Sequence, residues 1–375
     1  MRIPPPRQDR GIALIIVMMV ILVLAVLAGS FAYSMKVETK LARNTSYESE
    51  MEWLGRSGVE RGKWLLSLPL LSPPPESMYT GGTQPWAVEN PGSTNELYAT
   101  AKLKKIDMGV GIIDISIIDL ERKFSLTAVT EANSAVLERA LALVGADSSD
   151  IPTIIDSYLD WVDPDNKTHL GGAENSDYLA MKPAPYYCKN GFVDDMHELL
   201  LLKGMNEQIF WGTKRVGEAP DRRDARGREM RMKRPMSPDL AGLQASGSGV
   251  GLIDLFVPFH GAGAMVNINT ASAEVLQLIP GLPPDMAQAI ARERNGPDGQ
   301  AGTEDDLPYI NVGEALQVAG ADPAMAGAMR NMLTVQSRVF EITVDAQIGN
   351  YKRRFVALVN RQSAKEITTL YFTWK

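Results

Sequence analysis

The 375-residue chain contains one cysteine, Cys188, so no disulfide can form within it. In an oxidising compartment such a fold must rest on packing or on bound ions. No partner pattern surrounds the thiol, and Cys188 reads as a buried apolar residue. Histidine is scarce, at three residues, and no paired-His motif, G-x-S-x-G or Ser–His–Asp series is present. The common hydrolase and zinc-enzyme signatures are therefore missing. Basic charge is not in excess either. With 38 Lys and Arg against 45 Asp and Glu, net charge is −7 and the pI about 5.2. That balance argues against a surface built as a whole to hold nucleic acid.

What the sequence does have begins near its start. Residues 12–28, IALIIVMMVILVLAVLA, carry no polar side chain, and the run continues to Met35 before Lys36. A bilayer core takes about 20 apolar residues as helix, and Arg10 and Lys36 bracket such a segment. Three readings fit it. It can be a plain anchor. It can be a cleaved secretory signal ending at Val26-Leu27-Ala28, although the run is long for an h-region. Or Arg10-Gly11-Ile12 can close a short basic leader cut after glycine.

Proline is absent from Lys36 to Leu68, and Val37, Leu41, Tyr47, Met51, Leu54, Val59 and Leu65 recur at helical spacing. Gly55, Gly58 and Gly62 weaken helix propensity but permit close packing on a sheet. Cleavage after Gly11 would leave one helix from Ile12 to about Leu68, roughly 85 Å long at 1.5 Å per residue. Pro69 and Pro73-Pro74-Pro75 are expected to stop it.

Residues 72–96 read as a loop, Leu97–Thr100 as a short strand and Val110–Asp119 as a longer one. Helices are expected at Glu131–Val144, Pro152–Trp161 and Asp194–Lys203. Between the last two lies an acidic loop. Counted from Asp163, oxygen side chains fall at positions 1, 3 and 12 (Asp163, Asp165, Glu174), part of the EF-hand spacing. Position 6 is Thr168 rather than glycine, so this is not an EF-hand. It can still be a calcium loop of another shape, provided Lys167 and His169 point outward. A hydrated acidic loop is the alternative. His197 reads as a solvated helix residue.

Residues 214–250 form a basic linker poor in large apolar residues. Val266–Arg294 resembles a helix-hairpin-helix: Thr270 or Ser272 can cap the first helix, Pro280-Gly281-Leu282-Pro283 is the hairpin, and Asp285–Arg294 the second helix. Pro283 and Pro284 remove two amides that a phosphate would use. The chain closes on three strand runs, Gln336–Ala346, Tyr351–Asn360 and Ile367–Trp374. Phe340, Ile342 and Val344 alternate there, as do Phe355, Ala357 and Val359.

In order, Arg10-Gly11-Ile12, Asp160-Trp161-Val162-Asp163-Pro164-Asp165, Gly171-Gly172-Ala173-Glu174, Lys189-Asn190-Gly191, Glu198-Leu199-Leu200, Lys203-Gly204-Met205 and Asn267-Ile268-Asn269-Thr270-Ala271 resemble the K-type minor pseudopilins of bacterial type II secretion. Most pilin-like proteins carry Glu at the fifth mature position. Here, counted from Ile12, that position is Ile16, and the K-type family shares this lack. The resemblance implies an α+β fold with a long N-terminal transmembrane helix packed on an antiparallel pilin-like sheet. It divides the chain into a leader (1–11), a long helix (12–68, with 12–35 in the membrane), a first pilin-like part (69–125), a helical insertion (126–334, including the linker) and closing strands (335–375).

It further implies a non-enzymatic subunit, cut between Gly11 and Ile12 by a prepilin peptidase and methylated. That subunit would cap a filament of the major pseudopilin with the I-type and J-type minor pseudopilins as partners, above an inner-membrane secretion platform. The location would be the inner membrane, single-pass, with the soluble part in the periplasm. A structural Ca2+ is expected, with ligands among Asp160, Asp163, Asp165, Glu174 and Asp177. The other reading, from Val266–Leu282, is an anchored DNA-binding protein of the DNA-uptake type.

Overall fold

In a computed structural model, residues 10–91, 93, 95–181, 184–212, 249–258, 265–322, 326, 327 and 329–374 are described, without the side chains of 10–12, 43, 44 and 46. The basic segment at 214–248 lies outside the described residues, as do the side chains of Gly11 and Ile12.

Helix α1 runs from Arg10 to Leu71 as one element. Its first half is apolar, and among the described residues it is the one helix long and apolar enough to cross a membrane. Proline was expected to end it at Pro69, but the helix continues two residues further, with Pro69 inside its last turn. There the missing amide costs one hydrogen bond, and few residues follow whose pairing the ring could disturb.

The second half of α1 lies on a five-stranded antiparallel sheet. Its strands are β1 (Ile106–Asp107), β2 (Ile112–Asp119), β7 (Val339–Ile348), β8 (Tyr351–Arg361) and β9 (Ile367–Trp374), in the order β1-β2-β7-β8-β9. The alternation expected in β7 and β8 is borne out: Phe340, Ile342, Val344, Phe355, Ala357 and Val359 are fully buried. Helix and sheet meet through the three glycines. A Cβ on Gly55 would lie 2.5 Å from Cγ of Phe355, one on Gly58 2.5 Å from Cγ1 of Val344, and one on Gly62 2.9 Å from Cδ1 of Ile342. The backbone of α1 thus replaces side chains in the core.

Buried apolar residues form two clusters. One joins α1 to the sheet, from Met51 to Val359. The other runs from Phe124 to Leu333, and its framework is helical. It contains α3 (Ala135–Leu143), α4 (Ile151–Val162), α5 (Asn175–Tyr178), α6 (Glu207–Trp211), α7 (Leu252–Leu255), α8 (Ala273–Leu276), α9 (Pro284–Arg294) and α10 (Val312–Val318). Two small parallel pairs tie distant parts of this body together. They are β3 (Phe124–Ser125) with β4 (Phe256–Val257), and β5 (Val266–Asn267) with β6 (Leu333–Thr334). The architecture is α+β.

Two local expectations are corrected. Leu97–Thr100 is not a strand: Glu96–Ala99 is a one-turn helix, α2, because Asn95 caps it by accepting from the Leu97 amide at 3.1 Å. Around Asp194–Lys203 the helix is a 3-10 segment, Met196–Leu201. Its start is fixed by Asp195 and Glu198, whose carboxylates accept from nearby backbone amides. Gly212 and Gly249–Gly251, the described residues on either side of 213–248, lie against each other. A Cβ on Gly212 would lie 2.0 Å from the Gly249 oxygen.

Candidate metal centre and the junction between the cores

The acidic loop begins where α4 ends. Asp160, on the last turn of α4, is fully buried. Its Oδ1 accepts from the His169 amide at 3.0 Å and touches His169 Nδ1, whereas Oδ2 has no hydrogen-bond partner. Glu174, at the far end of the loop, is also buried, and neither of its carboxylate oxygens receives a hydrogen bond of good geometry. Burial raises the Glu174 carboxyl above the ordinary carboxylate range, and repulsion from Asp160 and Asp163 adds to this. Burial likewise raises Asp163.

Ligand atoms of Asp163, Asp165 and Glu174 lie within 4.8 Å of one another, and so do those of Asp160, Asp163 and His169. Asp163 belongs to both groups. Buried carboxylate oxygens without donors are costly unless a cation meets them. Hard oxygens at this spacing suit calcium, so the residues present fit the expected ion. Asp177 is in neither group: its Oδ2 accepts the Glu174 amide at 3.2 Å, across the first turn of α5. The Lys167 side chain is 90% exposed, but its Nζ lies 3.8 Å from Asp165 Oδ2 rather than turning away from the loop. His169 faces Asp160, which holds the imidazole pKa above its ordinary value.

The surrounding motifs now have physical roles. A Cβ on Gly172 would lie 1.9 Å from Oδ2 of Asp160, so only glycine lets the loop close over that carboxylate. Lys203 donates to the Gly172 oxygen at 2.9 Å. Lys189 pairs with Asp194 at 2.6 Å and Glu198 at 2.8 Å. Asn190, at φ +47, donates through Nδ2 to the Asp165 oxygen, and its own Oδ1 is buried without a partner. Sequence spacing did not bring Asn190 to the acidic loop, since it comes from a turn beyond α5. Cys188 is buried, and burial pushes its thiol up to about 11. His197 is exposed, as expected.

The helix-hairpin-helix segment faces inward at its start. Asn267 Nδ2 donates to the Thr80 oxygen at 3.0 Å, Asp119 Oδ2 at 3.0 Å and Ser337 Oγ at 2.7 Å. Thr270 Oγ1 and Ser337 Oγ also donate to Asp119, each at 2.6 Å. Of the two expected caps, Ser272 serves α8 and Thr270 serves this junction. Arg361, nearly buried, donates to the Leu66 oxygen, Thr80 Oγ1 and the Ser337 oxygen, and lies over the Phe340 ring. These bonds join α1, the sheet and the helical body at one polar node.

Glu121 borders the node, and its Oε1 is buried without a partner. Burial, then repulsion from Asp119, raises its carboxyl to about 8. The folded state thus holds a proton that the unfolded chain releases near its ordinary value of 4.5. Stability should therefore fall as pH rises from 4.5 towards 8 and then level off. Glu121→Gln is expected to flatten that decline. At pH above 8 it should leave the protein more stable by about 3 kcal/mol, discounted for partial exposure. Urea unfolding at several pH values checks this, and parallel wild-type and variant profiles would refute it.

Helix α1, apolar in one half and seated on an antiparallel sheet in the other, defines a membrane-anchored, pilin-like protein. Residues 118–214 match the family model for Type II secretion system (T2SS), protein K, and residues 261–298 match a helix-hairpin-helix motif. The chain is similar to Type II secretion system protein K of Klebsiella pneumoniae, 24% identical over 213 residues that cover 54% of this chain and 60% of that relative's length. It shares its fold with a chain in the crystal structure of the GspK-GspI-GspJ complex from enterotoxigenic Escherichia coli. The TM-score there is 0.59 at 18% identity, covering 89% of this chain and 99% of the other. The chain thus resembles the protein K components of type II secretion systems, over residues 118–214 by the family model and over about 60% of the length of the Klebsiella relative.

Proposed function

We propose that the protein is a minor pseudopilin at the tip of the type II secretion pseudopilus, supporting export of folded proteins across the outer membrane. One observation carries this: α1 passes unbroken from a membrane-competent half, without charge from Ile12 to Met35, into a half that serves as core for the sheet. Such a helix can be stored in a bilayer and then packed into a filament. Ile16 stands on it where a filament-body subunit would carry Glu. A carboxylate in an apolar helix bundle is costly unless paired, and a tip subunit has no neighbour above to pair with.

On this reading the partners are the I-type and J-type minor pseudopilins, with the major pseudopilin below. The related crystal structure holds GspK with GspI and GspJ. The anchor lies in the inner membrane and the soluble part in the periplasm. The role is structural rather than enzymatic, and a calcium ion held by Asp160, Asp163, Asp165 and Glu174 staples the acidic loop. Nothing favours DNA uptake: Asn267 and Thr270 are engaged at the inner node, and the hairpin is rich in proline.

Mass spectrometry of the protein from secreting cells tests the proposal. The mature N-terminus is expected at Ile12, after cleavage behind Gly11. An intact leader in cells that secrete normally would overturn it.

A further inference from the structure

A cavity of about 290 Å³ opens between the sheet end and the helical body, beside the node. Trp86 and Ile117 form part of its wall, and Arg122 and Arg294 both line it. The Asp306 carboxylate on the same wall attracts Arg294, and Arg122 is close enough to repel it. Among the described residues, neither lies within 4 Å of a carboxylate oxygen.

Arg294 is 8% exposed. Its Nη1 donates to the Ile268 oxygen at 2.6 Å and its Nε to Asn295 Oδ1 at 3.2 Å, while Nη2 makes no hydrogen bond among the described residues. Arg122 is exposed at the mouth and makes none there either. Burial lowers the Arg294 pKa to about 10, so the group is still charged at neutral pH.

The other polar groups on the wall are already engaged. Asp119 accepts from Asn267, Thr270, Ser337 and the Glu121 amide. Asp306 accepts from the Gly302 amide at 2.8 Å and Thr303 Oγ1 at 3.3 Å. Asn269 exchanges both amide functions with the Tyr309 backbone. Among the described side chains on the wall, the donors left over are those of the two guanidinium groups. The free edge of the Arg294 guanidinium and the exposed Arg122 are planar forks, a shape complementary to an oxyanion.

We propose that this cavity is a binding site for a small oxyanion, taken up between Arg122 and Arg294. The oxyanion would be a carboxylate or phosphate, supplied either free or as an acidic side chain of another protein. The volume, at the low end of ligand pockets, admits such a group.

The test is titration calorimetry on the detergent-solubilised full chain with three probes: succinate, inorganic phosphate and N-acetyl-glutamate amide. At least one is expected to saturate below about 10 mM. Arg122→Gln, an exposed change that leaves the fold intact, should weaken that probe about tenfold. Arg294→Lys, which keeps the charge and loses the fork, should weaken it as well. Preference for N-acetyl-glutamate amide assigns the site to a protein side chain, and preference for succinate or phosphate to a free anion. Absence of saturable binding by all three, or equal binding by wild type and Arg122→Gln, overturns the proposal.

Discussion

Calcium at about a hundredfold its dissociation constant is expected to raise the unfolding midpoint by roughly 3–5 °C, and a chelator to reverse this. The reason is the cost that the acidic loop carries without a cation. Asp160 Oδ2 and both Glu174 oxygens are buried without good donors, and Asp163 sits among them. An ion bound only by the folded state adds about 2.7 kcal/mol at that concentration. Glu174→Gln separates this from a general salt effect, because its sign depends on the ion. In chelator the variant removes a buried unpaired charge and should match or exceed wild type by about 1 kcal/mol. In calcium it loses a ligand and should fall below wild type. Calorimetry of both proteins in both buffers decides the point. A wild-type midpoint indifferent to chelator, or a variant that responds to calcium as wild type does, would sink the calcium centre.

Enlarging the glycines under the helix should cost as much. Gly55→Leu or Gly58→Leu is expected to destabilise the protein by about 3 kcal/mol or more, from overpacking against Phe355 or Val344. Even Gly58→Ala is expected to lose. Helix propensity gains about 1 kcal/mol, but the new Cβ would lie 2.5 Å from Cγ1 of Val344. Neither the core of β7 nor the axis of a long helix gives way cheaply. Gly29→Ala in the apolar half is the control, since nothing lies within 4 Å of its Cβ position. Denaturant unfolding in detergent compares the three sites. Equal stability of Gly58→Leu and Gly29→Ala would show that the helix does not bear on the sheet as described.

Sequence alone determined the elements whose signal is local. An uncharged run from Ile12 to Met35 can only be satisfied as helix in an apolar medium. The alternation in β7 and β8 fixed which side chains face the core, because strand period and burial are one geometric fact. Gly55, Gly58 and Gly62 marked the face that meets the sheet. The carboxylates of the acidic loop were legible too, since three of them share one stretch of chain.

Tertiary structure decided the rest. It directed Asp177 into a helix turn and His169 inward, it added Asn190 from a later turn, and it engaged Asn267 and Thr270 with Asp119. It also set Arg122 beside Arg294 on one cavity. These side chains lie far apart in the chain or at a turn where direction is free. Periodicity reports only what neighbouring residues share. Contacts between distant residues are chosen when two cores close against each other, where each buried polar group must find a partner or bear the cost of lacking one.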